Sequence, residues 1–264
     1  MLRLLDARTG SYAEVRPARR GLLRLCAHPP NGAAGAGIAG LRVLLVADLL
    51  ARTAELGGLQ VLTVLTFSRQ SPGQREAAER AADALDIHPP AARTDSCDTQ
   101  ASPGGPVDVH VIGGGVDDAQ NGLVARAGAV QLPQAGSHAR AVAAGLPGGH
   151  AGDALAVRLA LKSFPCNQPA DLTEGVLARA GEALVYWRHR VAEWAESPSG
   201  PIPARIAETI EAAFSPNLRD GGFNRSLQRF PDAGGRCGEA RASADAEGGA
   251  GEVLGRGAGR AGAG

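Results

Sequence analysis

Two glycine-bearing turns hold the residues whose types and spacing suit chemistry. The first is "GAAGAGIAG", residues 32–40, which follows one apolar run and opens another. Gly37, Ile38 and Gly40 stand where the second run begins. A helix N-terminus there would present unpaired backbone N–H groups and the positive end of a helix dipole, and both attract anions. Glycines let a phosphate approach the backbone closely. The second turn is "IGGGVD", residues 112–117, with Gly113, Gly114 and Gly115 after a further apolar run and Asp117 beyond them. The chemistry this suggests is nucleotide binding, with the glycines under an adenine ring and Asp117 near the ribose. A tight turn with Asp117 capping a helix satisfies the same residues.

Neither turn supplies a catalytic group. Residues 32–40 contain no His, Lys, Ser or Thr, and Lys162 is the only lysine in the chain. Phosphoryl chemistry needs preorganised donors facing the charge that develops, and losing one donor costs about 3–4 kcal/mol. No catalytic residue is therefore assigned, and no Ser-His-Asp or paired-carboxylate arrangement stands out. His28, Cys97 and His110 are the nominees for a metal, but none lies at a metal-motif spacing, and zinc needs three or four converging ligands. The sequence predicts no metal site. The four cysteines, Cys26, Cys97, Cys166 and Cys237, are scattered without a C-x-x-C pair and read as thiols.

The elements that would position these turns follow from hydrophobic period and punctuation. Residues 2–20 read as a short ribbon and 22–26 as a buried strand. A helix is predicted from Ile38 to Leu56 and ends at Gly57-Gly58. Residues 59–67 read as the next strand, 72–87 as a helix, 89–106 as loop, and "VDVHVI" as another buried strand. Strand–helix–strand order predicts a parallel sheet. Residues 118–152 are weakly patterned, with one poor helix. Helices are predicted over 153–164, 170–194 and 203–214. The 170–194 helix carries a stripe of Leu172, Val176, Ala180, Leu184, Trp187, Val191 and Trp194, with Asp171 and Glu174 in a capping arrangement. On its other face Glu174, Glu182, Glu193 and Glu196 interleave with Arg179, Arg188, His189 and Arg190, which reads as a solvated surface.

With these elements placed, the sequence resembles the class I cysteinyl-tRNA synthetases and their relative, the cysteine ligase of mycothiol synthesis. The resemblance rests on "LRLLDARTGSYAEVRP", on "LLRLCAHPP…GIAGLRVLLVADLLARTAELGGLQV" with Arg42 and Asp48 in register, on "IGGGVD", and on "VRLALKSFPCNQPADLT" with Pro169, Asp171 and Thr173. It implies a Rossmann-like parallel sheet followed by a helical region, ATP-dependent activation of cysteine, and a zinc ion that reads the substrate thiol. The departures bear on activity. The family's His-Ile-Gly-His-type signature falls on Gly37, Ile38, Ala39 and Gly40, and its Lys-Met-Ser-Lys-Ser loop has no counterpart. The first zinc position falls on His28, or on Cys26 if the strand slips by two residues, and the later ligands have no match.

The expected fold is α/β: a trimmed Rossmann-like catalytic-type domain over 1–152, a small helical bundle over 153–230, and a disordered Gly/Ala-rich tail over 231–264 that has almost nothing to bury. Formal net charge is zero, with 27 basic and 27 acidic residues, so neither a membrane surface nor nucleic acid is favoured. tRNA binding is not expected. No apolar run reaches the roughly 20 residues of a membrane span. Asp6 and Arg8 interrupt what would be a signal peptide, which favours a cytoplasmic chain. Three functions are compatible with these features. One is a cysteinyl-tRNA-synthetase-like, cysteine-ligase-like protein with a degenerate ATP/aminoacyl-adenylate site, weakly active or inactive in adenylation, that serves as a binding or accessory protein for an amino acid or ATP or is an inactive gene product. Another is an active ligase reaching phosphates through Arg42, Arg126 and Arg140. The third is a structural partner docking through the 170–194 helix.

Overall fold

A computed structural model of the chain describes residues 2–31, 37–66, 70–94, 105–114, 121–132, 153–196, 200 and 204–205. The chain divides at Asn224/Arg225, and all described residues lie in the first unit, Met1–Asn224. The expected tail over 231–264 and nearly all of the expected 203–214 helix lie outside the described residues.

The N-terminal ribbon is an antiparallel pair, β1 (Arg3–Asp6) and β2 (Ser11–Glu14), with Arg3 opposite Glu14. Gly10, at φ +66°, turns the chain between them, and its N–H donates to the Asp6 carbonyl at 2.8 Å. A five-stranded sheet follows. Its strands are β3 (Leu22–His28), β4 (Gln60–Thr66), β5 (Ala92–Thr94), β6 (Val109–Ile112) and β7 (Leu123–Arg126), in the order β5-β4-β3-β6-β7. Every pairing in it is parallel. The fold is thus α/β on an all-parallel sheet.

Such a sheet needs cover, and its strands read as near-continuous apolar runs for that reason. Helix α1 (Ile38–Leu56) supplies the cover on one face, with Val43, Val46, Ala47 and Leu50 packed on Leu23, Leu25, Ala27, Val109 and Val111. Ile38, Leu41 and Leu45 of α1 enter a second core. There they meet Ala81 and Leu85 at the end of α2 (Pro72–Ala84), Ala156, Ala160 and Leu161 of α3 (Ala154–Lys162), and Ala180 of α4 (Glu174–Ala195). With apolar groups on both sides, 13 of the 19 residues of α1 are buried. Because successive strand residues face opposite ways, Arg24, Cys26 and His28 project from the sheet face away from α1.

Helix ends follow their local chemistry. Ser71 caps α2 in a full capping box with Gln74, and Pro72 opens the helix. Asp153 caps α3.

Four expectations are corrected. Strand β3 runs two residues further than predicted and includes His28. The loop expected over 89–106 contains β5, which at three residues is too short to show a period. Within the weakly patterned 118–152 segment, the described part holds β7 and the two-residue β8 (Val130–Gln131), and the rest, where the poor helix could fall, lies outside the described residues. The last long helix begins at Glu174 rather than 170, because Ala170–Asp171 forms β9 and pairs in parallel with β8. Its cap is Thr173, whose hydroxyl accepts the Val176 N–H at 3.3 Å, and not Asp171. Among the described residues, no helix is long and apolar enough to cross a membrane.

Candidate nucleotide crevice and histidine cluster

Strand order reverses between β3 and β6: the chain leaves β3 toward β4 on one side, and β6 adds on the other. In open α/β sheets the crevice outside the carboxyl ends of two such strands is where ligands bind. Of the sequence-predicted residues, Gly37, Ile38 and Gly40 follow β3 along the chain, and Gly113 and Gly114 follow β6. His28 closes β3 opposite Ile112, which closes β6, and the Gly113 N–H donates to the His28 carbonyl at 3.3 Å. Gly37 is the N-cap of α1, in extended backbone with no side-chain cap. The first turn of α1 has no acidic residue to occupy its dipole.

The predicted residues divide by what surrounds them. Ile38 and Gly40 are buried, and Ile38 is part of the helical core. A Cβ on Gly113 would lie 2.7 Å from Val43 Cγ2 and 2.9 Å from Pro30 Cδ, so close internal packing already requires this glycine. A Cβ on Gly114 would meet nothing within 4 Å. Gly115 and Asp117 lie outside the described residues. The arginines proposed to reach phosphates have different surroundings. Arg42 is fully buried, and its Nη2 donates to the carbonyls of Pro165 at 2.9 Å and Gln168 at 2.8 Å. Burial lowers its pKa. Arg126 is exposed at the end of β7, and Arg140 lies outside the described residues.

A cluster the sequence did not assemble sits on the sheet face opposite α1. In the β3–β6 register Cys26 faces His110, and His28 lies two residues on along β3. All three are buried, and one ligand-type atom from each lies within 4.8 Å of the others. Of the nominated metal residues, His28 and His110 thus come together with Cys26, while Cys97 lies outside the described residues.

The two imidazoles stack with centroids 5.1 Å apart, and His28 Nε2 lies 2.9 Å from His110 Nδ1. The other His110 nitrogen, Nε2, is 2.7 Å from the Asn121 carbonyl. A carbonyl only accepts, so His110 Nε2 carries its proton. Burial holds the His110 pKa below its ordinary value, so the ring is neutral and Nδ1 is an acceptor. His28 Nε2 must then donate to it. His28 Nδ1 lies 3.3 Å from the Thr66 hydroxyl, which is also 3.3 Å from the Ala27 carbonyl.

A third arrangement also escaped sequence reasoning. Asp48, buried within α1, receives Arg52 Nε at 3.0 Å, Arg158 Nη2 at 2.8 Å and the His88 backbone N–H at 3.2 Å. Arg158 also donates to the Leu85 carbonyl at 2.6 Å. Asp48 is a structural anchor joining α1, the end of α2, and α3. Nearby, burial and the Arg158 charge push the Lys162 pKa down to about 8.

No protein-family model matches the chain, and no curated protein matches it.

Proposed function

We propose that the chain is a cysteinyl-tRNA-synthetase-like, cysteine-ligase-like protein of the class I Rossmann type whose crevice binds ATP, or the amino acid, without activating it. The supporting observation is the start of α1. An uncapped helix N-terminus stands at the strand-order reversal, beside Gly113 and Gly114, with no ionisable side chain in its first turn. Backbone amides of that kind hold a phosphate; they do not supply the charge-matched donors that adenylation requires. The engagement of Arg42 with the Pro165 and Gln168 carbonyls disfavours the active-ligase alternative, which relied on it. Calorimetric titration with ATP, paired with amino-acid-dependent pyrophosphate–ATP exchange, tests the reading. Saturable ATP binding without exchange for any amino acid is the expected result. Exchange above background, or no ATP binding by folded protein, would overturn it.

One observation favours a second reading, docking through α4. Val185, Tyr186, Val191 and Trp194 are exposed along its C-terminal half. Recovery of the chain from its native host as a hetero-oligomer, dissociated by Trp194→Ala, would support it, and recovery as a monomer would count against it.

A further inference from the structure

We propose that Cys26, His28 and His110 form a binding site for one zinc-class divalent ion, which ties β3 to β6 across the strand-order reversal. The inference does not require a bound nucleotide, since its three side chains are buried on the sheet face away from α1, with His28 at the crevice end of β3. Its donor set, one thiol and two imidazoles, is the softness that zinc and cobalt(II) select. Convergence comes from the sheet itself. Parallel register sets His110 opposite Cys26, and the two-residue repeat of a strand returns His28 to the same face.

What lifts the trio above a chance grouping is the set of partners behind each ring. Metal-bound histidines characteristically give their second ring N–H to a carbonyl or another acceptor, which fixes the tautomer and the direction of the ligating nitrogen. His110 already does this, with Nε2 on the Asn121 carbonyl and Nδ1 aimed at the cluster. His28 is equipped for the same role. Thr66 Oγ1 lies 3.3 Å from His28 Nδ1 and 3.3 Å from the Ala27 carbonyl. When the His28 proton shifts from Nε2 to Nδ1, that N–H donates to Thr66 Oγ1, and the hydroxyl turns to donate to the Ala27 carbonyl. His28 Nε2 is then a second lone pair pointing into the cluster.

Ion entry balances as follows. The His28 tautomer shift moves one proton within the ring and releases none. Cys26 binds as thiolate and releases its thiol proton to water. Site plus ion gains one positive charge, and one proton is liberated per ion bound. The geometric adjustment is small. Two nitrogens about 2.0–2.1 Å from a tetrahedral ion lie about 3.3 Å apart, against 2.9 Å here.

The set shares His28, the first zinc position that the resemblance implies, and takes its other donors, Cys26 and His110, from residues before the glycine motif. With all three donors buried, the role assigned is structural.

The test uses the untagged full chain. Cobalt(II) added to the zinc-free protein should give tetrahedral visible bands and a thiolate charge-transfer band, saturating at one ion per chain. The charge-transfer band should be lost in Cys26→Ser and retained in Cys166→Ser. His28→Gln should weaken zinc binding at least about tenfold. Because Cys26→Ser sits in the core and can fail to fold, X-ray absorption at the zinc edge of the parent protein provides a second readout. It should show one sulfur and at least two imidazole nitrogens. No charge-transfer band in the folded parent, a band that survives Cys26→Ser, or a zinc shell without sulfur would each overturn the proposal.

Discussion

Gly113 and Gly114 are neighbours in one turn, yet different constraints hold them. Gly113 lacks space for a Cβ, because Val43 and Pro30 already occupy it, whereas Gly114 faces open space. Overpacking a tight site costs about 1–3 kcal/mol. Gly113→Ala should therefore lower stability by about that much in urea unfolding. Gly114→Ala should change it by less than about 0.5 kcal/mol, and should weaken ATP binding if a nucleotide lies against that turn. Equal stability losses for both variants would show that the two positions are constrained alike. Lys162 yields a pH prediction. Its folded pKa, about 8, is below the ordinary 10.5, so between those values the unfolded chain binds more protons. Stability then rises with pH across that window, and below it the buried ammonium is a constant burden. Lys162→Met should be more stable than the parent near neutral pH, by about 1–3 kcal/mol. That advantage should shrink as pH is raised toward 10. An advantage that stays constant with pH would contradict the assigned cause. The glycines of the two turns were legible in the sequence as types. Which of them serves packing was not, because the answer lies in Pro30 and Val43, distant in sequence from Gly113.

Among the elements, the Asp48 anchor decides how the helices hold together. Its carboxylate receives Arg52 and Arg158, and Arg158 in turn satisfies the carbonyl of Leu85, where α2 has just ended. Removing one partner of a buried ion pair typically costs about 3–5 kcal/mol, because a charge is left without compensation. Asp48→Asn should lower the urea midpoint by an amount in that range without changing the denaturant slope. A shift under about 1 kcal/mol would mean that solvent reaches the network and screens it. The long elements were legible: α1 matches its expected span, because nineteen residues of apolar period ending in Gly57-Gly58 leave little freedom. The short strands β5, β7, β8 and β9 were not. Two to four residues carry no period, and they become strands only because a neighbour's backbone lies alongside. Asp171 and Glu174 fit a capping box by spacing, but Asp171 pairs with Gln131, and the cap is Thr173. The histidine cluster was illegible for a related reason. His28 and His110 are 82 residues apart, and only the parallel register makes them neighbours.

At the scale of the whole molecule, the sheet and the helical layer share one element, α1. Its Val43 side is fixed by the strands and its Leu41 side by α2, α3 and α4. Arg42 adds a clamp to the Pro165 and Gln168 carbonyls, and Asp48 adds another to α3. A helix gripped from both sides behaves as the keel of the molecule. Whatever settles against its N-terminus meets a surface that cannot tilt or retreat, so fit against the helix is decided before the guest arrives.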